Sequence, residues 1–211
     1  MNIPSKDAIR TDRRKYSAVR QEIRNADLLL LEGGGWIARA GRSPYRHAAM
    51  ASWWGTDLML IEMVQWHGGR AVTLSSQVER FPGRWDVFRA APGGDRRWPD
   101  FHRVEAVRFM RRLAGQPYGW WSILAISCLH LPGLWRLPWA RRIARRGDRC
   151  EAVPDGSLAD AFGPAICSEG VSAAYRLGGG IDPVPGLADR LTEPGDLARS
   201  QFFAYQFTLV P

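Results

Sequence analysis

Cysteine is scarce: the 211-residue chain has three, Cys128, Cys150 and Cys167. An odd number without framework spacing excludes a disulfide scaffold. The opening Met1-Asn2-Ile3-Pro4-Ser5-Lys6-Asp7 has no apolar signal core, so a reduced, cytoplasmic setting is the expectation. An unbroken apolar span is also lacking. Leu113 to Trp135 runs 23 positions without a charge. It is interrupted by Gln116-Pro117, Ser122, Ser127, His130 and Pro132-Gly133, whereas a spanning helix needs ~20 predominantly apolar residues. No G-x-x-x-x-G-K-[ST] loop exists for nucleotide phosphates, and no G-x-S-x-G elbow for a nucleophilic serine. His47, His67, His102 and His130 stand in no H-E-x-x-H spacing and the cysteines in no C-x-x-C, so no metal or other cofactor is expected. Gly33-Gly34-Gly35-Trp36-Ile37-Ala38 can be written as a dinucleotide fingerprint, G-x-G-x-x-A. Gly41 and Pro44 cut off the helix that a ~30-residue βαβ unit would require.

What is present is ordinary globular usage, 45% hydrophobic and 24% charged, with 22 Gly and 14 Pro and neither repeats nor low-complexity tracts. A chain of this length buries roughly 70% of its extended surface, enough for one domain without disulfides or a structural metal. The net charge of +8 rests on 27 Arg and 2 Lys against 21 acids, and it is uneven: residues 1–112 carry +8, 113–150 carry +5 and 151–211 carry −5. A basic body could favour nucleic acid, an anionic membrane surface or an acidic polymer; the plainer reading is a solvated, Arg-rich surface. Nucleic acid is not the expected partner. Trp120, Trp121, Trp135 and Trp139 beside Arg136, Arg141, Arg142, Arg145, Arg146 and Arg149 would suit contact with a membrane surface or a larger particle, or a buried helix followed by a solvated basic turn.

Along the chain, Tyr16, Val19 and Ile23 stand at helical spacing among seven basic residues in the first 25, which predicts an amphipathic helix within 1–26. Leu28-Leu29-Leu30-Leu31, stopped by Gly33-Gly34-Gly35, reads as a buried strand. His47–Trp54, Leu58–Val64, Trp85–Ala90 and Phe202–Val210 are further strands; Asp100–Leu113 and Ser168–Leu177 read as helices. Strands gathered early, then helices, predict an α+β domain around an antiparallel sheet.

Two segments carry chemistry. Gly55-Thr56, with Gly first as a type II′ turn prefers, pairs Trp54 with Asp57 and thereby Ala49 with Glu62. His47 and Glu62 then share a sheet face as diagonal neighbours; a slip of one residue would separate them. A lone carboxylate in an apolar run is costly to bury unpaired, and an imidazole is a suitable partner. Each residue alone also fits a structural role, Glu62 at a solvated edge and His47 as a satisfied buried histidine. Cys167 opens the second helix, where backbone N–H groups and the helix dipole lower a thiol pKa and could hold an oxyanion. Cys128 and Cys150 read as small buried hydrophobes.

Asp27-Leu28-Leu29-Leu30, Ser43-Pro44-Tyr45-Arg46-His47-Ala48-Ala49-Met50, the Glu62 strand, Pro82-Gly83-Arg84-Trp85-Asp86-Val87-Phe88-Arg89 and Ile166-Cys167-Ser168-Glu169 resemble the circularly permuted branch of the NlpC-type papain-like thiol hydrolases, in its YiiX/YaeF-like group. The resemblance runs from about Asp27 to Phe203 and leaves the stretch from Trp120 to Asp160 unmatched. It implies one permuted papain-like domain over 27–211, its sheet packed against the cysteine helix, with a Trp/Arg-rich insertion at about 119–150. It also implies Cys167 as nucleophile, His47 as base and Glu62 as the residue orienting the imidazole. His47 precedes Cys167, the reverse of the papain order, as in the permuted branch. Tyr118 matches a tyrosine that relatives carry before the insertion and is a candidate substrate-side donor. The implied activity is hydrolysis of amide bonds without a cofactor, in cell-wall peptides, with N-acyl or lipid amides, or acyl transfer, as the alternative. A wall target would require delivery by a phage particle or a secretion apparatus. A non-enzymatic Arg/Trp-rich binding or particle protein is the reading from a different class.

Overall fold

The Leu28–Leu31 run takes the middle place in a seven-stranded sheet, with neighbours on both sides, and this is why it is apolar throughout. The computed structural model describes residues 12–34, 43–120 and, apart from 156, 158 and 163, 155–211. In chain order the strands are β1 (Arg13–Lys15), β2 (Leu28–Glu32), β3 (Tyr45–Trp54), β4 (Asp57–Val64), β5 (Gly68–Thr73), β6 (Trp85–Ala90) and β7 (Phe203–Val210). The α-helical segments are α1 (Tyr16–Val19), α2 (Leu74–Arg80), α3 (Arg103–Arg112), α4 (Ala159–Phe162), α5 (Cys167–Ala173) and α6 (Pro194–Arg199). The sheet order is β1-β7-β6-β2-β3-β4-β5, and every neighbouring pair is antiparallel except β1 with β7. The architecture is α+β.

Strand alternation divides the core in two. Leu28, Leu30, Ala48, Met50, Ile61 and Met63 point to the face covered by α3 and α5. Leu29, Leu31, Ala49, Ala51 and Leu60 point to the other face, with Val19, Leu74 and Val78 from α1 and α2 and the fully buried Trp85. Each buried Leu, Ile, Val or Met among them stabilises the fold by roughly 1.5–3 kcal/mol. The β3–β4 register is the one that the turn chemistry predicts, from Trp54–Asp57 to Ala49–Glu62, with Gly55 at φ 61°.

The basic N-terminal segment departs from expectation. Over its described part it is not one helix: Arg13–Lys15 pair with Thr208–Val210 of β7, one helical turn follows in α1, and Arg20–Glu22 form a 3₁₀ turn. Tyr16, Val19 and Ile23 still face the second core together, so their periodicity reports a packed stripe. A free edge on β7 competes for the flanking residues and takes them as strand. Residues 1–11 lie outside the described residues, as do 121–150 of the expected insertion, with Cys128, Cys150, Trp121, Trp135 and Trp139. Among the described residues no helix is long and apolar enough to cross a membrane. The helix expected over Ser168–Leu177 begins at Cys167 and widens into a π turn over Ala174–Gly178.

Candidate active site

The β3–β4 ladder stops at Ala49–Glu62, although β3 reaches back to Tyr45 and β4 runs on to Val64. Beyond that pair β3 stays with β2, Leu31 opposite His47, while β4 stays with β5, Val64 opposite Gly68. The sheet therefore opens between β3 and β4. His47 and Glu62 sit at this opening on the face of the second core. Their side chains meet: the His47 Nε2–H donates to Glu62 Oε2 at 2.6 Å. Glu62 is 3% exposed and His47 16%, so the carboxylate is sealed and the imidazole keeps access to solvent.

Cys167 reaches the opening from the other side. Its helix α5 packs against β3 and β4 on the first-core face, and its first residue meets His47 where the ladder has parted. The buried sulfur is hydrogen-bonded to the imidazole and accepts the backbone N–H groups of Ala48 and Ser168. With Nε2 committed to Glu62, Nδ1 is the ring nitrogen left for the thiol. Burial pushes the Cys167 thiol up, but the His47 charge, its hydrogen bond and the two N–H donors outweigh burial and leave the pKa below the usual 9.0. Burial acts on His47 in the opposite direction, downward. The thiolate charge and the Glu62 hydrogen bond overcome it and raise the imidazole from 6.5 to about 10. Burial raises Glu62, and its bonds to His47 and Arg70 bring it below its usual value. The state these shifts favour is a thiolate–imidazolium pair backed by a carboxylate.

Arg70 is the member that sequence reasoning missed. It is the cross-strand partner of Glu62 in β5, and its Nε and Nη2 both reach Glu62 Oε1, at 2.8 and 2.6 Å. The signal was a second hairpin, Val64 to Gly68, but Gly68-Gly69 reads as a turn and hides the strand. Tyr118 is held by a short parallel bridge to Ala165, just before the cysteine helix, and by the 113–116 turn, which bonds to Gly69 through Gly115 and Gln116 at 2.8 Å each. Its hydroxyl is hydrogen-bonded to Gln65. Burial and the Cys167 charge raise its pKa, so the phenol stays protonated and is a donor near the sulfur. These groups line one cleft of ≈ 470 Å³, with His47, Glu62, Arg70, Tyr118 and Cys167 in its wall. All four residues singled out from the sequence are thus brought together.

No family model and no curated protein matches the sequence. The fold is similar to that of YiiX. A solved structure described as metalloprotein YiiX from Escherichia coli O157:H7, DUF1105, superposes with a TM-score of 0.55 at 13% identity, covering 90% of this chain and 99% of that one. The likeness carries the YiiX-like fold. It does not carry the metal. Among the described residues no group of three or more His, Cys, Asp or Glu side chains could hold a metal ion. His47 already spends one ring nitrogen on Glu62 and the other on the thiol, and the Arg70 cation occupies the second carboxylate oxygen. That donor set does not fit a metal.

Proposed function

We propose that the protein is a cysteine hydrolase of amide bonds, built on a circularly permuted papain-like domain of the NlpC type. The observation that carries this reading is the continuous line from the Cys167 sulfur through His47 to the 2.6 Å bond with Glu62, at the wall of an open cleft. A thiolate beside an imidazolium is the activated nucleophile such chemistry needs. The thiolate adds to the amide carbonyl carbon. Backbone N–H groups at the start of α5 and the Tyr118 hydroxyl are the donors at hand for the oxyanion. The imidazolium gives its proton to the departing nitrogen as the C–N bond breaks, leaving a thioester. The neutral imidazole then takes a proton from water; hydroxide adds to the thioester, the C–S bond breaks, and the ion pair is restored. Glu62 keeps the ring oriented and stabilises its charged form.

Cell-wall peptides are the first substrates to assay and N-acyl amides the second. Cys167→Ala is expected to abolish turnover without unfolding the chain; unchanged turnover in a folded variant overturns the assignment. Iodoacetamide at mildly acidic pH is expected to modify Cys167 ahead of Cys128 and Cys150. Equal labelling of the three in the native protein favours a non-enzymatic binding role.

A further inference from the structure

We propose that Arg46 and Arg80, both held over the ring of Phe81 in the wall of the Cys167 cleft, form an oxyanion-binding subsite, and that the amide substrate carries a carboxylate or a phosphate. The amide rests on the hydrolase reading; the anion rests on separate observations. Arg46 directly precedes His47 in β3, where the register with β2 shifts. Its stem crosses Gly33 so closely that a Cβ there would lie 2.5 Å from the Arg46 Cδ, and this crossing directs the guanidinium to Phe81, with Cζ 5.4 Å from the ring centroid. Arg80 ends α2 and reaches the same ring from the other segment, at 5.2 Å. A cation–π contact holds each guanidinium near the ring without using its N–H donors, which stay available for the bidentate bonds by which arginine binds carboxylate and phosphate.

Most other well-placed arginines have partners. Arg70 is paired with Glu62, Arg89 and Arg103 with Asp27, and Arg111 with Ser52 and the Trp53 carbonyl. Arg46 and Arg80 have no hydrogen bond or ion pair with any described residue, only the shared ring. Among the described residues lining the cleft, Glu62 is the single carboxylate, and both its oxygens are occupied. The cleft thus holds Arg46, Arg70 and Arg80 against one acid that is already neutralised, beside the sulfur. An anionic substituent on the substrate supplies the missing charge.

The test uses the thiol as reporter and needs no knowledge of the natural substrate. Iodoacetate carries a carboxylate and iodoacetamide does not, so their rate ratio at Cys167 measures attraction for an anion at the cleft. Arg46→Gln and Arg80→Gln are each expected to lower this ratio by roughly three- to tenfold. Arg80 is exposed at a helix end, so its variant keeps the test open should Arg46→Gln fail to fold. In the native protein, inorganic phosphate and succinate are expected to slow alkylation of Cys167. Stronger protection by phosphate assigns a phosphate-bearing substrate, and stronger protection by succinate a carboxylate. A thiol that iodoacetamide labels readily, with a ratio unmoved in both variants and no protection by either anion, overturns the subsite and leaves the hydrolase reading standing. A Cys167 that iodoacetamide does not label at mildly acidic pH overturns both.

Discussion

Asp27 and Glu62 are both carboxylates sealed among apolar strand residues, both meet arginines, and yet burial wins at one and loses at the other. Asp27, 0% exposed, accepts the backbone N–H groups of Arg24 and Ala90 and the Arg89 Nε at 2.9, 3.3 and 3.0 Å. Burial raises its pKa in spite of these donors. Glu62 has Arg70 on one oxygen and His47 on the other, and the two outweigh burial. The physical difference is the kind of partner. Backbone amides and guanidiniums do not titrate near neutral pH, so Asp27 tethers the start of β2 through donors that keep their state. An imidazole can gain or lose a proton, and His47 also touches a thiol at a cleft. A buried carboxylate can serve chemistry when one of its partners titrates and reaches solvent.

Substitutions should separate the two clusters. His47→Ala is expected to lower turnover by on the order of 10³-fold or more, and it also costs about 1–3 kcal/mol of stability because the sealed Glu62 carboxylate keeps Arg70 alone. Asp27→Ala should cost about 2–4 kcal/mol of stability, since two buried N–H groups and two arginines lose their acceptor. Turnover per folded molecule should stay at the wild-type level. Urea titration followed by tryptophan fluorescence, together with amide turnover, reads both quantities. A His47 variant with native turnover, or an Asp27 variant with native stability, breaks the comparison.

The candidate site was more legible in the sequence than the Asp27 cluster, because its determinants are local. Gly55-Thr56 fixes a register, the register puts His47 and Glu62 on one face, and Cys167 stands at a predicted helix start, where Glu169 accepts the Ile166 N–H. The separation of β3 from β4 beyond Ala49–Glu62, which admits the sulfur, has no local signal. Arg70 was hidden because β5 opens on two glycines and becomes a strand only by pairing with β4. The strand Arg13–Lys15 was hidden for a similar reason: its partner in β7 lies at the opposite end of the chain, while the local stripe of Tyr16, Val19 and Ile23 reads as helix. Tyr118 came from resemblance alone. Its bond to Gln65 depends on how the 113–120 segment docks beside β5.

The pH profile sharpens the comparison further. In the proposed mechanism turnover needs the thiolate and the imidazolium together. The thiolate is lost as pH falls through the depressed Cys167 pKa, below 9.0, and the imidazolium is lost as pH rises through the His47 value of about 10. The expected profile is a plateau between those limits. Glu62→Gln keeps a hydrogen-bonding side chain but removes the charge that helps raise His47. Turnover should fall by roughly 10- to 100-fold, and the alkaline limb should move to lower pH. An alkaline limb that stays in place would mean that Glu62 does not hold the imidazolium.

Arg70 gives the smallest effect and the most discriminating one. It touches Glu62 and not the imidazole, so it is a positioning residue, and its loss changes the site only through the carboxylate. Arg70→Gln removes a cation that partly neutralises Glu62, which leaves more of the carboxylate's field acting on His47. The alkaline limb should therefore move to higher pH, opposite to its displacement in Glu62→Gln. Turnover should drop only about two- to fivefold, since the 2.6 Å bond between Glu62 and His47 does not depend on Arg70 for its formation. A purely structural role for Arg70 would lower turnover with both limbs unmoved. Opposite displacements in the two variants would show that charge passes along the line from Arg70 through Glu62 to His47, a coupling that Asp27, enclosed by permanent donors, has no titrating partner to receive.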